Sequence, residues 1–366
     1  MYLNHLSILN YKNLAEVELD FEKGLNCLIG DNGVGKTNLL DAIYYLACCK
    51  SRLTPIDLQN IKHDEPFMMV QGNFDRAGVL EEIGIGLKRG QRKSFKRNGK
   101  EYDRLSDHIG LVPLVIVSPE DSSLITDGSE IRRKFMDGVI SQYNREYLYK
   151  LIRYNKLLLQ RNTLLKSQDT EDSLYDVCEL QMEELAVYLY QQRLSFIKEF
   201  VPIFNRYYSL VSQEKEKVGI NYRSHLQDGE LKPQLEFCRR RDSILGYTSK
   251  GIHKDELELT LGDYPIKMVG SQGQGKSFVI SLRLAQFDFL KKANGGETPL
   301  LLLDDIFDKL DAGRVTQIIK IVSGDGFDQI FITDTNREHL DKLLSDTVRN
   351  YRIYRVESGK IQYASI

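Results

Sequence analysis

The sequence lacks the features that define several classes of protein. Its longest apolar runs, Leu111–Val117 and Pro299–Leu303, are far shorter than the roughly 20 residues of a membrane-spanning helix. Its five cysteines are an odd number and contain no CxxC pair, which argues against a disulfide scaffold and a four-cysteine zinc site. No basic segment followed by an apolar core opens the chain, so no secretory signal is visible. These absences predict a cytoplasmic protein that does not contact a membrane.

The sequence also lacks a large net charge of either sign. Its 50 Lys and Arg residues nearly balance 52 Asp and Glu residues, for a formal net charge of −2. A polybasic, histone-like binder is therefore excluded, and contact with nucleic acid requires a local basic patch. The length of 366 residues suits two lobes, or one large α/β domain that carries an insertion.

Strand-like segments at both ends of the chain flank a helical middle. Alternating apolar residues before residue 30 and between 67 and 117 predict strands, and Asn98-Gly99 predicts a hairpin turn. From about 129 to 213 glycine is nearly absent, and helical spacing predicts two long antiparallel helices separated by the polar segment Ser167–Ser173. We therefore predict an α/β domain formed by residues 1–120 and 249–366 and split by a helical arm, residues 121–248.

The predicted arm has a repeat typical of a short coiled coil. Its members follow a 4-3-4-3 spacing, which predicts an apolar stripe with two polar layers. They are Leu151, Asn155, Leu158, Asn162 and Leu165. An antiparallel coiled coil and a plain helical subdomain are both compatible with this stripe.

Two segments match the phosphate-loop pattern G-x-x-x-x-G-K-[ST]. The first lies between a predicted strand, Leu25–Ile29, and a predicted helix, Thr37–Cys49. In such a loop the glycines let backbone N–H groups surround an anion, and the helix N-terminus adds positive charge. A structural glycine turn is the alternative. The candidate residues are Gly30, Asp31, Asn32, Gly33, Val34, Gly35, Lys36, Thr37 and Asn38.

The second match, Gly270–Ser277, also precedes a predicted helix, so its local context does not exclude a phosphate loop. The apolar segment Leu300–Leu303 follows it and ends in Asp304 and Asp305. A buried strand that carries carboxylates at its C-terminal end is suited to hold the Mg²⁺ of a bound nucleotide. Because these acids would serve either loop, the pattern alone leaves the second match open.

The order of these segments resembles that of the ABC-type ATPase heads. There a phosphate loop is followed by a long insertion, by a segment like Ser271-Gln272-Gly273-Gln274 before a helix, and by a strand that ends in two acids. Lys309-Leu310-Asp311 completes the similarity. By this resemblance Ser271–Gln274 is a signature loop, which caps a nucleotide held by another subunit, and Lys276 completes a phosphate-loop pattern by coincidence.

Among these heads the sequence is most similar to the RecF family of bacterial recombination mediators, from residue 1 to about residue 340. The fragments that carry the resemblance are Leu9–Leu14, Ser118–Asp121, Arg132–Asp137, Leu157–Leu165, Gly251–Asp255 and Gly270–Gln274. The resemblance implies ATP and Mg²⁺ as cofactors, double-stranded or gapped DNA, an ATP-induced homodimer, and RecR and RecO as partners. It also implies a role in recombinational repair and replication restart, in which the protein helps to load RecA at single-strand/double-strand junctions.

The resemblance assigns catalytic roles to Lys36, Asp304 and Asp305 and a metal-binding role to Thr37 and Asp304. Lys36 would hold the β- and γ-phosphates, and Thr37 and Asp304 would bind Mg²⁺. Asp305 stands where a Glu usually activates water. Asp is one methylene shorter than Glu and must reach further, often through the water itself. The resemblance implies slow, DNA-dependent hydrolysis, since such enzymes are switches.

The resemblance also implies nucleotide contacts outside the phosphate loop. The signature loop would contact the γ-phosphate of the partner's ATP, and the aspartate after Leu310 would couple the two sites. A lysine and an asparagine near the start of the chain would contact the base or the α-phosphate. These candidates are Ser271, Gly273, Gln274, Asp311, Lys12 and Asn13.

Two features that are usual in ABC heads are not evident. The last core strand ends in Thr333 and Asp334 instead of a switch histidine, and these residues are either a γ-phosphate sensor or a simple strand end. Ser118-Pro119-Glu120 lies where a Mg²⁺-sensing glutamine is expected. His253 is either functional or a packed histidine beside a turn.

The segment Lys88–Lys100 is the sharpest charge feature of the sequence. Seven of its thirteen residues are basic and none is acidic. A basic hairpin can bind successive DNA phosphates without reading the base sequence, but lysines that protect an edge strand give the same composition. The candidate DNA contacts are Lys88, Arg89, Arg92, Lys93, Lys96, Arg97 and Lys100.

Three functions follow from these features. The leading hypothesis is a DNA clamp gated by ATP, in which the phosphate loop of one subunit and the signature loop of a second enclose the nucleotide. The first alternative is the cytoplasmic ATPase subunit of a membrane transporter, against which the arm and the missing switch histidine argue. The second alternative is a scaffold with an inactive nucleotide site, which the presence of Lys36, Thr37, Asp304 and Asp305 disfavours.

Overall fold

A computed structural model describes residues 1–167, 171–307, 310–324, 326–335 and 351–364. These residues form two compact units, described here one at a time. We call Met1–Asp121 together with Lys276–Ile366 the head unit, and Ser122–Gly275 the insertion unit. No helix in the described ranges has both the length and the apolar character needed to cross a membrane.

The described elements are numbered along the chain. The strands are β1 Tyr2–Tyr11, β2 Leu14–Asp20, β3 Gly24–Ile29, β4 Phe67–Arg76, β5 Val79–Lys88, β6 Ser94–Arg97, β7 Lys100–Glu101, β8 Leu114–Val117, β9 Val218–Arg223, β10 Glu256–Leu261, β11 Tyr264–Pro265, β12 Leu300–Asp304, β13 Gln329–Asp334, β14 Tyr351–Glu357 and β15 Lys360–Ala364. The helices are α1 Lys36–Cys48, α2 Ser123–Thr126, α3 Ser129–Tyr143, α4 Arg145–Lys166, α5 Asp172–Ser212, α6 Leu231–Leu245, α7 Ile266–Val269, α8 Gln272–Ala293 and α9 Ala312–Val322.

The head unit contains two six-stranded sheets. One is antiparallel, with the order β2-β1-β4-β5-β6-β7, and the other has the order β15-β14-β3-β13-β12-β8. In the second sheet β14, β3, β13, β12 and β8 run parallel. Helix α1 contributes apolar side chains to a core that also contains residues of both sheets. The carboxyl ends of β3, β12 and β13 therefore lie side by side at one edge, where α1 begins.

The strands predicted near the N-terminus and the hairpin turn are confirmed. Asn98 and Gly99 join β6 to β7 with positive φ angles of 48° and 78°, as a two-residue hairpin turn requires. The predicted strand Leu111–Val117 is shorter than expected and begins at Leu114. Pro113 ends the preceding segment because it has no N–H to donate to a neighbouring strand.

The insertion unit contains the predicted antiparallel pair as α4 and α5, but the first predicted helix is broken at Asn144, which ends α3 and caps α4. Asn144 bonds to Gln192 and Arg161 bonds to Glu179, so the partner numbers fall as the chain number rises. The unit extends to Gly275 instead of ending at 248. The segment from 249 that we assigned to the α/β domain belongs here because its strand β10 pairs with β9. Of the polar segment between the helices, residues 168–170 lie outside the described residues.

The predicted stripe on α4 coincides with the buried face only at Leu165. Asn155 is exposed, whereas Tyr154, Leu157 and Arg161 are buried. The heptad pattern assumes a single partner helix, but α4 also contacts α6, so the buried face is turned away from the predicted one. Arg161 bonds there to the Leu235 carbonyl of α6.

Candidate nucleotide site

The segment Gly30–Lys36 forms a tight loop between β3 and α1. Gly33 and Gly35 have φ angles of 80° and 119°, a region that residues with a Cβ rarely adopt. A Cβ on Gly35 would also lie 2.9 Å from Cδ2 of Leu14, and one on Gly30 would lie 2.2 Å from the Val356 carbonyl oxygen. The glycines are therefore required for the loop, which leads directly into a helix N-terminus suited to bind an anion.

The ammonium group of Lys36 lies within this loop. Its Nζ donates to the carbonyl oxygens of Gly30 at 2.6 Å and Asp31 at 2.8 Å. Burial lowers the pKa of Lys36, while the nearby carboxylates of Asp305 and Asp304 oppose that shift. The arrangement sets a cation between the loop and the acids at the strand ends.

Asp304 and Thr37, which are 267 positions apart, meet at the edge of the parallel sheet. The Thr37 hydroxyl donates to Oδ1 of Asp304 at 3.1 Å, and the Thr333 hydroxyl donates to the same oxygen at 2.7 Å. The Asp304 side chain is buried, and burial raises the pKa of its carboxyl group. A hydroxyl oxygen beside a carboxylate is a donor set that fits Mg²⁺, which prefers hard oxygen ligands.

Asp305 follows β12 with a left-handed backbone. Its φ is 47°, its side chain is exposed, and its N–H donates to the Thr333 hydroxyl at 2.9 Å. The structure therefore brings Lys36, Thr37, Asp304 and Asp305 into one site.

Lys12 and Asn13 have protein partners beside the loop. Lys12 Nζ forms a short bond to the Asp41 carboxylate, and Asp41 also accepts from the Ser51 hydroxyl. Asn13 donates to the Gly33 carbonyl at 3.3 Å and accepts from Asn38 at 2.7 Å, so it braces the loop. Asp41 was not among the predicted site residues, and its only sequence signal is a carboxylate among the apolar residues of α1.

The second phosphate-loop match forms a helix start and not a loop. Helix α8 begins at Gln272, and none of the glycines in the match has a positive φ. Ser271 N–H donates to the Gln274 side chain at 2.8 Å, and Gln274 N–H donates to the Ser271 hydroxyl at 3.2 Å. This reciprocal pair is a capping box, so Ser271 and Gln274 fix the helix end and leave Gly273 in its first turn.

Asp311 caps helix α9. Its carboxylate accepts from the Arg314 N–H at 2.9 Å, and the Arg314 bonds lower the pKa of that carboxyl group. The Arg314 guanidinium also donates to the Ser277 hydroxyl in α8 at 2.5 Å. Lys309, part of the Lys309-Leu310-Asp311 match, lies outside the described residues.

The basic hairpin divides into anchored and exposed cations. Lys93 pairs with Asp57 at 2.9 Å, and Arg97 pairs with Glu81 at 2.5 Å. Arg89 is exposed and donates to a backbone carbonyl. The exposed cations are Lys88, Arg89, Arg92, Lys96 and Lys100. Composition does not separate the two groups, because the acids that hold Lys93 and Arg97 lie in other segments.

His253 in the insertion unit is packed on both sides. One ring nitrogen lies 3.0 Å from the Tyr154 hydroxyl and the other lies 3.0 Å from the Thr248 carbonyl oxygen. Burial lowers the pKa of His253 to about 4. A neutral ring with two internal partners favours the packed alternative over a functional one.

The comparisons with known proteins agree with this architecture. The family model described as RecF/RecN/SMC N terminal domain matches residues 2–362. The DNA replication and repair protein RecF of Bacteroides fragilis is 58% identical over 363 residues, which cover 99% of this chain and 98% of that protein. The RecF of Flavobacterium johnsoniae is 46% identical over 360 residues, which cover 97% of this chain and 100% of that protein.

Solved structures show the same fold. The structure described as the recombination mediator protein RecF–ATP in the RecFOR pathway has a TM-score of 0.88 and 28% identity, with coverage of 100% of this chain and 98% of that one. An SMC head of Pyrococcus furiosus has a TM-score of 0.60 and 16% identity, which supports the fold alone. The predicted α/β head of the ABC and SMC type is confirmed, and the relatives give no support to the transporter alternative. The chain belongs to the RecF family of DNA replication and repair proteins.

Proposed function

We propose that the head unit binds ATP with Mg²⁺ and uses slow hydrolysis to switch a DNA clamp. The observation that carries this proposal is the meeting of Thr37, on the phosphate loop, with Asp304, at the end of β12. Lys36 lies in the same loop, so the cation, the metal-binding oxygens and the loop amides share one site.

Each residue has a distinct part in this site. The amides at the start of α1 and the Lys36 ammonium hold the β- and γ-phosphates, and Thr37 and Asp304 hold the metal. Bound Mg²⁺ neutralises charge on the phosphates. Asp305 orients the attacking water from the end of β12, and its short side chain keeps hydrolysis slow.

We further propose that ATP joins two copies of the chain. Ser271 is exposed at the start of α8, and its hydroxyl, which accepts from the Gln274 N–H, keeps a hydrogen to donate. That hydroxyl and the positive end of the helix cap the γ-phosphate held by the partner copy. Hydrolysis removes the bridge and releases DNA.

The change Ser271→Arg should abolish dimerisation that depends on ATP, because a long cation at the cap blocks approach of the second copy. Affinity of the monomer for ATP should stay within about threefold, since the phosphate loop is intact. Sedimentation velocity with a slowly hydrolysed ATP analogue measures both species. Ser173→Arg, which makes the same change at another exposed serine, is the matched control. An undiminished dimer in the Ser271 variant would refute the shared site.

We propose that the exposed cations of the hairpin contact the DNA backbone. Lys96 and Lys100 lie on its two strands, and Arg92 lies in the segment before β6. These side chains supply charge without base readout, which suits a protein that binds duplex and gapped DNA of any sequence. Lys93 and Arg97 hold the hairpin to the head instead.

Replacing Arg92, Lys96 and Lys100 together by Glu should weaken DNA binding at least about tenfold at moderate salt. The slope of log affinity against log salt should become shallower by about two to three units, since each lost phosphate contact contributes roughly 0.9. Fluorescence anisotropy with a gapped duplex across a salt series measures both quantities.

The matched control reverses three exposed lysines of the insertion unit, Lys156, Lys198 and Lys215, and so makes the same change in net charge. Its DNA affinity should stay within about threefold of the unmodified protein. Equal loss in both variants, or no loss in the hairpin variant, would rule out the hairpin as the DNA contact.

The related RecF–ATP structure is described as part of the RecFOR pathway. We therefore propose RecO and RecR as partners of this chain, with RecA loading at single-strand/double-strand junctions as the result. Co-sedimentation of the full chain with purified RecR and gapped DNA, with and without ATP, tests this assignment.

A further inference from the structure

The side chain of Thr333 contacts both Asp304 and Asp305, the two acids at the end of β12. Thr333 is 1% exposed and ends the apolar part of β13. The parallel register places it directly beside Asp304 on β12. Its hydroxyl therefore faces the last residue of the neighbouring strand and the first residue after it.

The hydrogen bonds of this hydroxyl have only one possible direction. A threonine hydroxyl has one hydrogen to donate, and its oxygen can also accept. The Asp305 N–H can only donate, and it reaches the Thr333 oxygen at 2.9 Å. The hydroxyl oxygen is therefore the acceptor in that bond, and its hydrogen points to Oδ1 of Asp304 at 2.7 Å. The Thr333 hydroxyl thus binds the side chain of Asp304 and the backbone of Asp305.

The hydrogen bond from Thr333 to Asp304 does not involve the phosphate loop. Thr37 donates to the same carboxylate oxygen, but Thr37 is also a candidate metal ligand and belongs to the loop. Thr333 belongs to β13 and lies outside the phosphate loop. It therefore fixes the orientation of the Asp304 carboxylate whatever Thr37 binds.

The hold on Asp305 acts through its left-handed backbone. Asp305 has a φ of 47°, a region that Asp tolerates better than most residues with a Cβ but that surrounding contacts still help to hold. Its N–H bond to Thr333 is such a contact. Without the bond the backbone is free to return to an ordinary conformation, and the carboxylate of Asp305 would move with it.

We propose that Thr333 is a positioning residue that fixes Asp304 and Asp305 relative to each other for ATP hydrolysis. The proposal rests on the proposed ATPase function of the head unit. It assigns Thr333 no contact with the nucleotide, so its loss should change the rate of hydrolysis and the metal requirement but not the affinity for ATP.

The test compares Thr333→Val, which keeps the shape and removes both hydrogen bonds, with Thr333→Ser, which keeps the hydroxyl. The Val variant should lower kcat by about 10- to 100-fold, the loss typical of a misplaced catalytic group, with KM within about threefold. The Ser variant should stay within about threefold of the unmodified kcat. Steady-state hydrolysis by the full chain measures these values.

A second measurement does not depend on hydrolysis. The Mg²⁺ concentration that half-saturates binding of a slowly hydrolysed ATP analogue should rise about tenfold in the Val variant, because the partner that orients Asp304 is lost. The Ser variant should keep the unmodified requirement. If the Val variant unfolds at much lower denaturant, Thr333→Ala replaces it in both measurements.

Two results would overturn the inference. One is a Val variant whose kcat and Mg²⁺ requirement match those of the unmodified protein. The other is a Ser variant as impaired as the Val variant, which would assign the effect to packing of the methyl group. Asp304→Asn separates this inference from the proposed function. If that variant hydrolyses ATP normally, the proposed site fails, whereas an inactive Asn variant beside a normal Val variant refutes the role of Thr333 alone.

Discussion

Lys36→Met should lower the affinity of the protein for MgATP at least about 100-fold, because charge-assisted bonds to phosphate are among the strongest in proteins. Methionine has a similar length and an apolar stem, so it fills the buried space that Lys36 occupies. The bonds of Lys36 to two loop carbonyls are lost as well, but Gly30 is only half-buried and Asp31 is exposed. Stability should therefore change little. Titration calorimetry with MgATP measures the affinity, and urea unfolding checks the fold.

The second phosphate-loop match supplies the matched control. Lys276→Met makes the same substitution in the same sequence pattern, but Lys276 lies within helix α8 and not beside a wrapped loop. At protein concentrations where the chain is monomeric, this variant should bind MgATP within about threefold of the unmodified protein. Loss of binding in the Lys276 variant together with normal binding in the Lys36 variant would reverse the assignment of the two matches.

The contrast between the two matches shows where sequence patterns carry information. The first loop was predictable because its signals are local: an apolar strand, glycines and a helix start follow one another directly. The spacing of the second match is identical, yet Ser271 and Gln274 form a capping box that closes the helix end. The pattern G-x-x-x-x-G-K-[ST] alone does not distinguish glycines of an anion-binding loop from glycines in the first turn of a helix. The later strand with its two acids, together with the family resemblance, favoured the first match as the phosphate loop, and the second match is a helix start in the structure.

The approach of Asp304 to the phosphate loop could be predicted from the general geometry of parallel sheets, but the order of the strands could not. Carboxyl ends of neighbouring parallel strands share one edge, so the approach of Asp304 to the loop was predictable. The order of the strands was not predicted, and β13 lies between β3 and β12. That order brings Thr333 against the acids, a contact that no spacing in the sequence encodes. The sequence therefore left Thr333 open as a sensor or a strand end.

Outside the nucleotide site, neither the buried cation of α4 nor the anchored cations of the hairpin were predicted as such. Apolar periodicity predicts the buried face of a helix from its apolar residues. It therefore does not predict that an arginine on the same face is buried. Arg161 is fully buried on α4, and the predicted stripe did not include it. Lys93 and Arg97 were counted with the exposed cations for the same reason, because the carboxylates that hold them come from other segments.

Arg161→Met should lower the free energy of unfolding of the insertion unit by about 3–5 kcal/mol, the usual cost of leaving a buried charge without its partner. Arg161 donates to Glu179 at 2.9 Å and to Asp242 at 2.7 Å, and both carboxylates are fully buried. Glu179 also accepts from Arg239, but Asp242 would lose its cation. Urea unfolding of the full chain, followed by far-ultraviolet circular dichroism, measures the change in the helical signal.

Arg153→Met is the matched control for Arg161→Met, because Arg153 lies on the same helix but is exposed and makes one long bond to Gln181. Its cost should stay below about 1 kcal/mol, as for other exposed polar contacts. Adding Asp242→Asn to Arg161→Met should recover part of the loss, since a neutral amide is less costly to bury than an unpaired carboxylate. If Arg161→Met unfolds at the same urea concentration as the unmodified protein, the buried network does not hold α4 to α6. If the double variant is no more stable than the single one, the cost comes from lost packing and not from the uncompensated charge of Asp242.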